Sequence, residues 1–212
     1  MDYSKLIKNL LIKRGLETEA EMEEFLHPSL ASFSDPFLLA GMTEAVNRIN
    51  KAIKNKEKIV IYGDYDCDGV CAVSILYLYF KSINLDAVGF IPSRHTDGYG
   101  LSKETVNYIK TTYNPNLVIT VDTGISAHNE IELFKSLEVD VIVTDHHEPP
   151  EILPSTIVVD PKIKGQIYPF NGLSGAGVAF KLVEALNGLE KALEYVDICA
   201  ISTIGDIVSL MG

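Results

Sequence analysis

Apolar positions along the chain fall into two textures. Up to residue 57 they recur at three- and four-residue spacing, which predicts helices over Ser4–Arg14, Thr18–Leu26 and Thr43–Lys54. Thr18 and Glu21 are spaced as a capping box at the start of the second helix. Between the second and third, His27-Pro28-Ser29 and Asp35-Pro36-Phe37 interrupt the periodicity with a loop. From Lys58 onward, short β-branched runs alternate with helical stretches. The runs Ile59–Tyr62, Ala87–Ile91, Leu117–Val121, Val141–Thr144 and Ile157–Val159 read as strands. Val70–Ile83, Ser102–Thr111 and Ala127–Leu137 read as the helices between the first four, and Ala176–Leu186 and Leu189–Ile204 as helices after the fifth.

Strands that are apolar throughout and alternate with helices belong to a parallel sheet covered on both faces. The expected fold class is therefore α/β, a doubly wound, mostly parallel five-stranded sheet with C-terminal helices. Residues 1–57 form an N-terminal helical segment and 58–212 the sheet domain. The chain stops in the apolar run Ile207-Val208-Ser209-Leu210 with no cap or polar tail, as expected of a fragment of a longer protein.

Charge narrows the function classes. The 29 Asp and Glu against 18 Lys and Arg give a net charge of -11, so no broad basic surface is available to grip nucleic acid. A phosphate ligand would have to be held locally, through metal ions or a few placed cations. No apolar stretch reaches the roughly 20 residues of a membrane helix, and the start, Met1-Asp2-Tyr3-Ser4-Lys5, carries no secretion signal. The expected location is cytoplasmic. Cys67, Cys71 and Cys199 match no zinc spacing and are expected as buried free thiols.

Ligands of an open parallel sheet bind beyond the carboxyl ends of its strands, and the acids and histidines gather there. The first strand runs into Asp64-Tyr65-Asp66-Cys67-Asp68-Gly69, the third into Asp122-Thr123-Gly124, and the fourth into Asp145-His146-His147. Carboxylates at alternate positions repel one another unless a cation sits among them. Oxygen-rich groups with imidazole suit Mn²⁺ or Mg²⁺ rather than a thiolate zinc site. A lone Asp in such a place would simply cap the following helix; so many acids at three strand ends favour a metal centre. The EF-hand loop is excluded, because its twelfth position must be Glu and is Ile75 here. His146 and His147 are neighbours, so their side chains diverge and take separate roles.

Two further segments bear on phosphate. Ser93-Arg94-His95 follows the second strand and brings a cation and an imidazole to the same edge. Gly172-Leu173-Ser174-Gly175-Ala176-Gly177 precedes a helix, and serves either as a phosphate-binding turn or as a site of close packing. No Gly-x-x-x-x-Gly-Lys loop and no Gly-x-Ser-x-Gly elbow occurs, which argues against a P-loop ATPase and a serine hydrolase.

The ordered set Asp64-Tyr65-Asp66-Cys67-Asp68-Gly69, Val121-Asp122-Thr123-Gly124, Thr144-Asp145-His146-His147 and Gly205-Asp206 resembles the DHH phosphoesterase superfamily. Phe25-Leu26-His27-Pro28, Asp35-Pro36-Phe37, Gly98-Tyr99-Gly100-Leu101, His147-Glu148-Pro149-Pro150 and Tyr168-Pro169-Phe170 extend the likeness toward its single-strand-specific exonucleases. The resemblance implies a two-metal phosphodiester hydrolase that degrades single-stranded DNA from the 5′ end in repair and recombination, using two Mn²⁺ or Mg²⁺ ions. It puts the metal ligands at Asp66, Asp68, Asp122, His146 and Asp206, with Asp64 beside them and Asp122 bridging. His147, Arg94 and His95 would meet the substrate phosphate. The implied partners are single-stranded DNA and a single-strand-binding protein or helicase, with most of the DNA grip in further domains. One departure is Tyr62, where many superfamily members place a metal-binding His. The rivals are hydrolysis of short oligonucleotides, cyclic dinucleotides or pyrophosphate, and a non-catalytic repair or replication scaffold.

Overall fold

A computed structural model describes residues 4–93 and 100–210. By internal packing the described residues divide into two units, 4–35 and 36–210. The first unit holds α1 (Lys5–Lys13) and α2 (Glu19–Leu26). Ser4 caps α1, and the expected capping box closes α2: Thr18 Oγ1 accepts from Glu21 N at 3.2 Å and Glu21 Oε2 from Thr18 N at 2.8 Å.

The second unit begins earlier than residue 58. Helix α3 (Met42–Asn55) buries Met42, Ala45, Val46, Ile49 and Ala52 and packs with the sheet domain, because its apolar stripe has a partner there. Five strands follow: β1 (Ile59–Gly63), β2 (Ala87–Phe90), β3 (Leu117–Val121), β4 (Asp140–Thr144) and β5 (Ile157–Val159). All pair in parallel, in the order β2-β1-β3-β4-β5. The intervening helices are α4 (Cys67–Ser82), α5 (Lys103–Tyr113) and α6 (His128–Ser136), with α7 (Gly175–Asn187), α8 (Leu189–Leu193) and α9 (Val196–Gly205) after β5.

Alternate residues of the buried strands feed two cores, as a doubly wound sheet requires. Ile59, Ile61, Leu117, Ile119 and Ile142 join α3, α4 and α7 on one face. Val60, Tyr62, Val118, Val141 and Val143 join α5 and α6 on the other. The chain leaves β1 for β2 on one side and then crosses back to β3, so the winding reverses between β1 and β3. The carboxyl ends of those two strands therefore bound a crevice.

The stretch Leu189–Ile204 is not one helix. Its helical periodicity continues through Glu194 and Tyr195 without Gly or Pro, yet Tyr195 leaves the helical region (φ -119°, ψ 11°). Its ring is buried, with the Lys191 ammonium 5.8 Å from the centroid. The break lets α8 pack on α7 while α9 packs on both α4 and α7. The cysteines are free, as expected, but only Cys71 and Cys199 are partly buried and Cys67 is exposed. Cys67 opens α4 at the carboxyl edge of the sheet, beyond the reach of the core. Among the described residues no helix is long and apolar enough to cross a membrane.

Candidate metal centre

Four neighbouring strands are each followed by the same residue type. Gly63 pairs with Val121, Val121 with Thr144, and Thr144 with Val159. The residues immediately after these are Asp64, Asp122, Asp145 and Asp160, all buried. The sheet register alone thus lines four carboxylates along its carboxyl edge. Asp160 has no counterpart among the residues singled out from the sequence; the signal available was its position directly after an apolar strand.

The helices add the rest. Asp66 caps α4, its Oδ1 accepting from Gly69 N at 2.9 Å, so capping and membership of the acidic cluster coexist in one side chain. Asp68 lies in the first turn of α4, and its carboxylate faces the N-terminus of α7. Oδ2 accepts from Gly175 N at 2.6 Å, and Oδ1 from Ala176 N at 2.7 Å and Ser202 Oγ at 2.5 Å. Ser202 also shares a 2.7 Å hydrogen bond with the α7 cap, Ser174. This corrects one of the two readings of the glycine turn. Two of its backbone amides, which a phosphate would need, already serve a carboxylate of the chain itself. Close packing is what the turn provides, since a Cβ on Gly175 would stand 2.5 Å from Asp122 Cβ.

Asp122 takes up a left-handed conformation, φ 57°, which Asp tolerates better than most residues. Its Oδ1 stands 3.0 Å from His146 Nε2, close in distance but without a hydrogen-bond partner of proper alignment. Asp68 Oδ2 is 3.4 Å and Asp206 Oδ2 3.7 Å from the same nitrogen. Asp206 arrives as the C-cap of α9.

Three sets of donor atoms come within 4.8 Å of one another: Asp64, Asp66 and Asp122; Asp68, His146 and Asp206; and Asp122, His146 and His147. Donors about 2.1 Å from a shared hard cation and at right angles to each other stand roughly 3 Å apart. The separations around His146 Nε2 are of that size. The donor set of carboxylates and imidazole, together with the orphaned Asp122 Oδ1, fits a hard divalent cation.

Without a cation, the acids Asp64, Asp122 and Asp206 are pushed toward their protonated forms. Burial pushes Asp122 up to about 7, and neighbouring Asp68 and Asp66 add to it. Burial likewise raises Asp64 and Asp206. Burial acts downward on His146, but the Asp122 carboxylate outweighs it and the imidazole is raised. The two partners move up for different reasons, Asp122 mainly through burial and His146 through the carboxylates around it. His147 Nδ1 is 2.7 Å from Asp145 Oδ1, which raises His147 to about 9. Asp145 also accepts from the backbone of Ile125, His146 and His147 and is lowered despite its burial. Asp145 therefore holds His147 rather than joining the donor sets.

The structure brings together Asp64, Asp66, Asp68, Asp122, His146, His147 and Asp206. Arg94 and His95 lie outside the described residues. Tyr62 is buried in the α5–α6 core, its hydroxyl donating to Gly100 O at 2.7 Å, and it belongs to none of the donor sets.

A model of the DHH family, N-terminal domain, matches residues 58–203. The single-stranded-DNA-specific exonuclease RecJ of Bacillus subtilis is 46% identical over 211 residues, covering 99% of this chain and 27% of that protein. Among solved structures, exonuclease RecJ bound to manganese superposes with a TM-score of 0.74 at 37% identity, over 80% of this chain and 44% of that one. RecJ in complex with Mn²⁺ from Thermus thermophilus gives 0.76 at 33% identity, over 94% of this chain and 28% of that one. The chain spans 27% of the length of the Bacillus subtilis relative and 38% of that from Dickeya dadantii. With the family model covering most of its length and Asp145-His146-His147 standing at the end of β4, this chain belongs to the DHH family.

Proposed function

We propose that this chain is the metal-dependent catalytic part of a single-stranded-DNA-specific exonuclease, hydrolysing phosphodiester bonds from the 5′ end. The observation that carries the chemistry is the overlap of three donor sets through Asp122 and His146. The DNA substrate is supported by the likeness to RecJ over nearly the whole chain. Asp64, Asp66 and Asp122 would hold one ion and Asp68, His146 and Asp206 the other, with Asp122 between them. Two Mn²⁺ or Mg²⁺ ions, when bound, supply water activation and charge neutralisation for an in-line displacement at phosphorus.

The chain's own residues set the stage. The Ser202 hydroxyl, itself hydrogen-bonded to Ser174, and two α7 amides fix the Asp68 carboxylate before any ligand arrives. The Asp145 bond fixes the His147 ring through Nδ1 and keeps it protonated at neutral pH, so Nε2–H is the donor toward a phosphate oxygen. The His147 side chain is 44% exposed, in keeping with a group that meets substrate. Arg94 and His95, which follow β2 in the sequence, are further candidates for the phosphate. The acidic net charge leaves most of the DNA affinity to segments outside this chain. A single-strand-binding protein or helicase would act through those segments, and a cytoplasmic location suits this substrate.

The test is product analysis with Mn²⁺ and, separately, 5′-phosphorylated single-stranded DNA, a dinucleotide and pyrophosphate, with Asp122→Ala as control. Stepwise release of mononucleotides from the 5′ end, lost in the variant, is the expected result. Cleavage of only the dinucleotide or pyrophosphate would replace the substrate while keeping the centre.

A further inference from the structure

Asp160 follows β5 directly and is completely buried. Its environment fixes one half of the carboxylate and leaves the other. Lys162 N donates to Oδ1 at 2.7 Å, and the Gln166 side chain donates to the Asp160 carbonyl at 2.8 Å, so residue and side chain are both pinned. The second oxygen, Oδ2, is buried and has no hydrogen-bond partner. A buried carboxylate oxygen left alone is costly.

Burial holds the Asp160 carboxyl well above its ordinary value, and the charges of Asp145, His146 and Lys162 bear on it as well. Asp145 is itself an acceptor whose oxygens serve three backbone amides and the His147 ring. The Lys162 ammonium stands 3.6 Å from the exposed Glu148 carboxylate. His146 remains. Its Nε2 lies among the oxygens of Asp122, Asp68 and Asp206, and its other ring nitrogen, Nδ1, is likewise buried and without a hydrogen-bond partner. The two orphans are chemically complementary, and adjacent strands carry them. Asp145 N donates to Val159 O at 3.1 Å, joining the chain just before His146 to the chain just before Asp160.

We infer that Asp160 is a positioning residue for the metal centre, its Oδ2 accepting a hydrogen bond relayed from His146 Nδ1–H through one water molecule. A histidine that binds a cation through one nitrogen is commonly held by an acceptor on the other, which fixes the tautomer and the ring plane. Asp160 supplies that acceptor from β5, the strand that otherwise contributes nothing to the donor sets. The assignment rests on the reading of His146 Nε2 as a metal-binding atom.

The experiment is imidazole NMR of the ¹⁵N-labelled chain, titrated with Mg²⁺, on the unaltered protein and on Asp160→Asn and Asp160→Ala. In the unaltered protein His146 Nδ1–H should give a downfield proton, slow to exchange, that persists when Mg²⁺ is bound. Asp160→Asn keeps the size of the side chain and an acceptor for Lys162 N, and should shift that proton upfield. Asp160→Ala should lose it and weaken Mg²⁺ binding roughly 10–100-fold, with Asn recovering part of the affinity. An Nδ1–H resonance and Mg²⁺ affinity unchanged in Asp160→Asn would overturn the inference, even if the Ala variant fails to fold. If His146 resonances of the unaltered protein ignore Mg²⁺ altogether, the metal reading fails instead, and the two failures are thereby distinguished.

Discussion

At the scale of single residues, the centre is an arrangement the metal-free chain holds at a cost. Asp122 is buried beside other acids and titrates at about 7. Replacing it with Asn, which also accepts the left-handed conformation, should stabilise the metal-free chain at pH 8 by roughly 1–3 kcal/mol. The same change should abolish turnover and remove the stabilisation by Mn²⁺. Urea denaturation with and without Mn²⁺ measures both; a metal-free Asp122→Asn chain less stable than the parent would contradict this account. His147 is expected to behave differently, because Asp145 holds it and its role is toward phosphate. His147→Gln should lower kcat by roughly 10²–10³-fold with Mn²⁺ affinity changed little, as read by titration calorimetry and single-turnover kinetics. Much of this chemistry was legible in sequence, since Asp64, Asp66, Asp68, Asp122, His146 and His147 sit in runs of acid and imidazole. Asp206 was reached only through the family resemblance, because a Gly-Asp at a helix end is common. Asp160 and Ser202 were not reached, and Ser174 only as part of the glycine turn. Ser202 meets Asp68 134 residues away in the chain, and a lone Ser or Asp gives no local sign of burial.

At the scale of elements, the strands were legible because each is an apolar run bounded by turn residues; β3 and β5 have the predicted ends. The break between α8 and α9 was not, since burial of Tyr195 decides it and helical periodicity runs straight through. How the elements meet at the centre depends on two glycines. A Cβ on Gly69, in the first turn of α4, would stand 2.4–2.7 Å from backbone atoms of Asp64. A Cβ on Gly175 would collide with Asp122. In both cases the obstacle is a carboxylate-bearing residue of the centre, so strain in packing becomes displacement of a ligand. Gly69→Ala should lower stability by about 1–3 kcal/mol and reduce activity by more than the unfolded fraction explains. Activity measured well below the melting temperature separates the two effects; full specific activity in the folded variant would mean that the turn yields without moving Asp64.

At the scale of the whole molecule, the acidic edge and the net charge of -11 act in the same direction. Asp122 and Asp160 are both raised by burial, from the ordinary 3.8 to about 7. A carboxyl that holds its proton more tightly folded than unfolded adds stability below the unfolded value and loses it as pH rises through the folded one. His147 follows the same rule in a higher window: its stabilisation is complete below 6.5 and disappears as pH passes about 9. Asp145 is lowered, so its contribution is present at neutral pH and is lost only on stronger acidification, below 3.8. The metal-free chain should therefore be most stable at about pH 4 and weaken steadily toward pH 9. A divalent cation reverses the trend, because it takes the place of the protons that the cluster otherwise holds and binds more tightly as they leave. The expected result is a melting temperature that falls with pH in chelator and stays level or rises in millimolar Mg²⁺, the two curves separating above about pH 6. Parallel curves would mean that the cation binds away from the titrating acids. Coincident curves would mean that it does not bind the folded chain at all, and with that the catalytic reading of the sheet edge would fall.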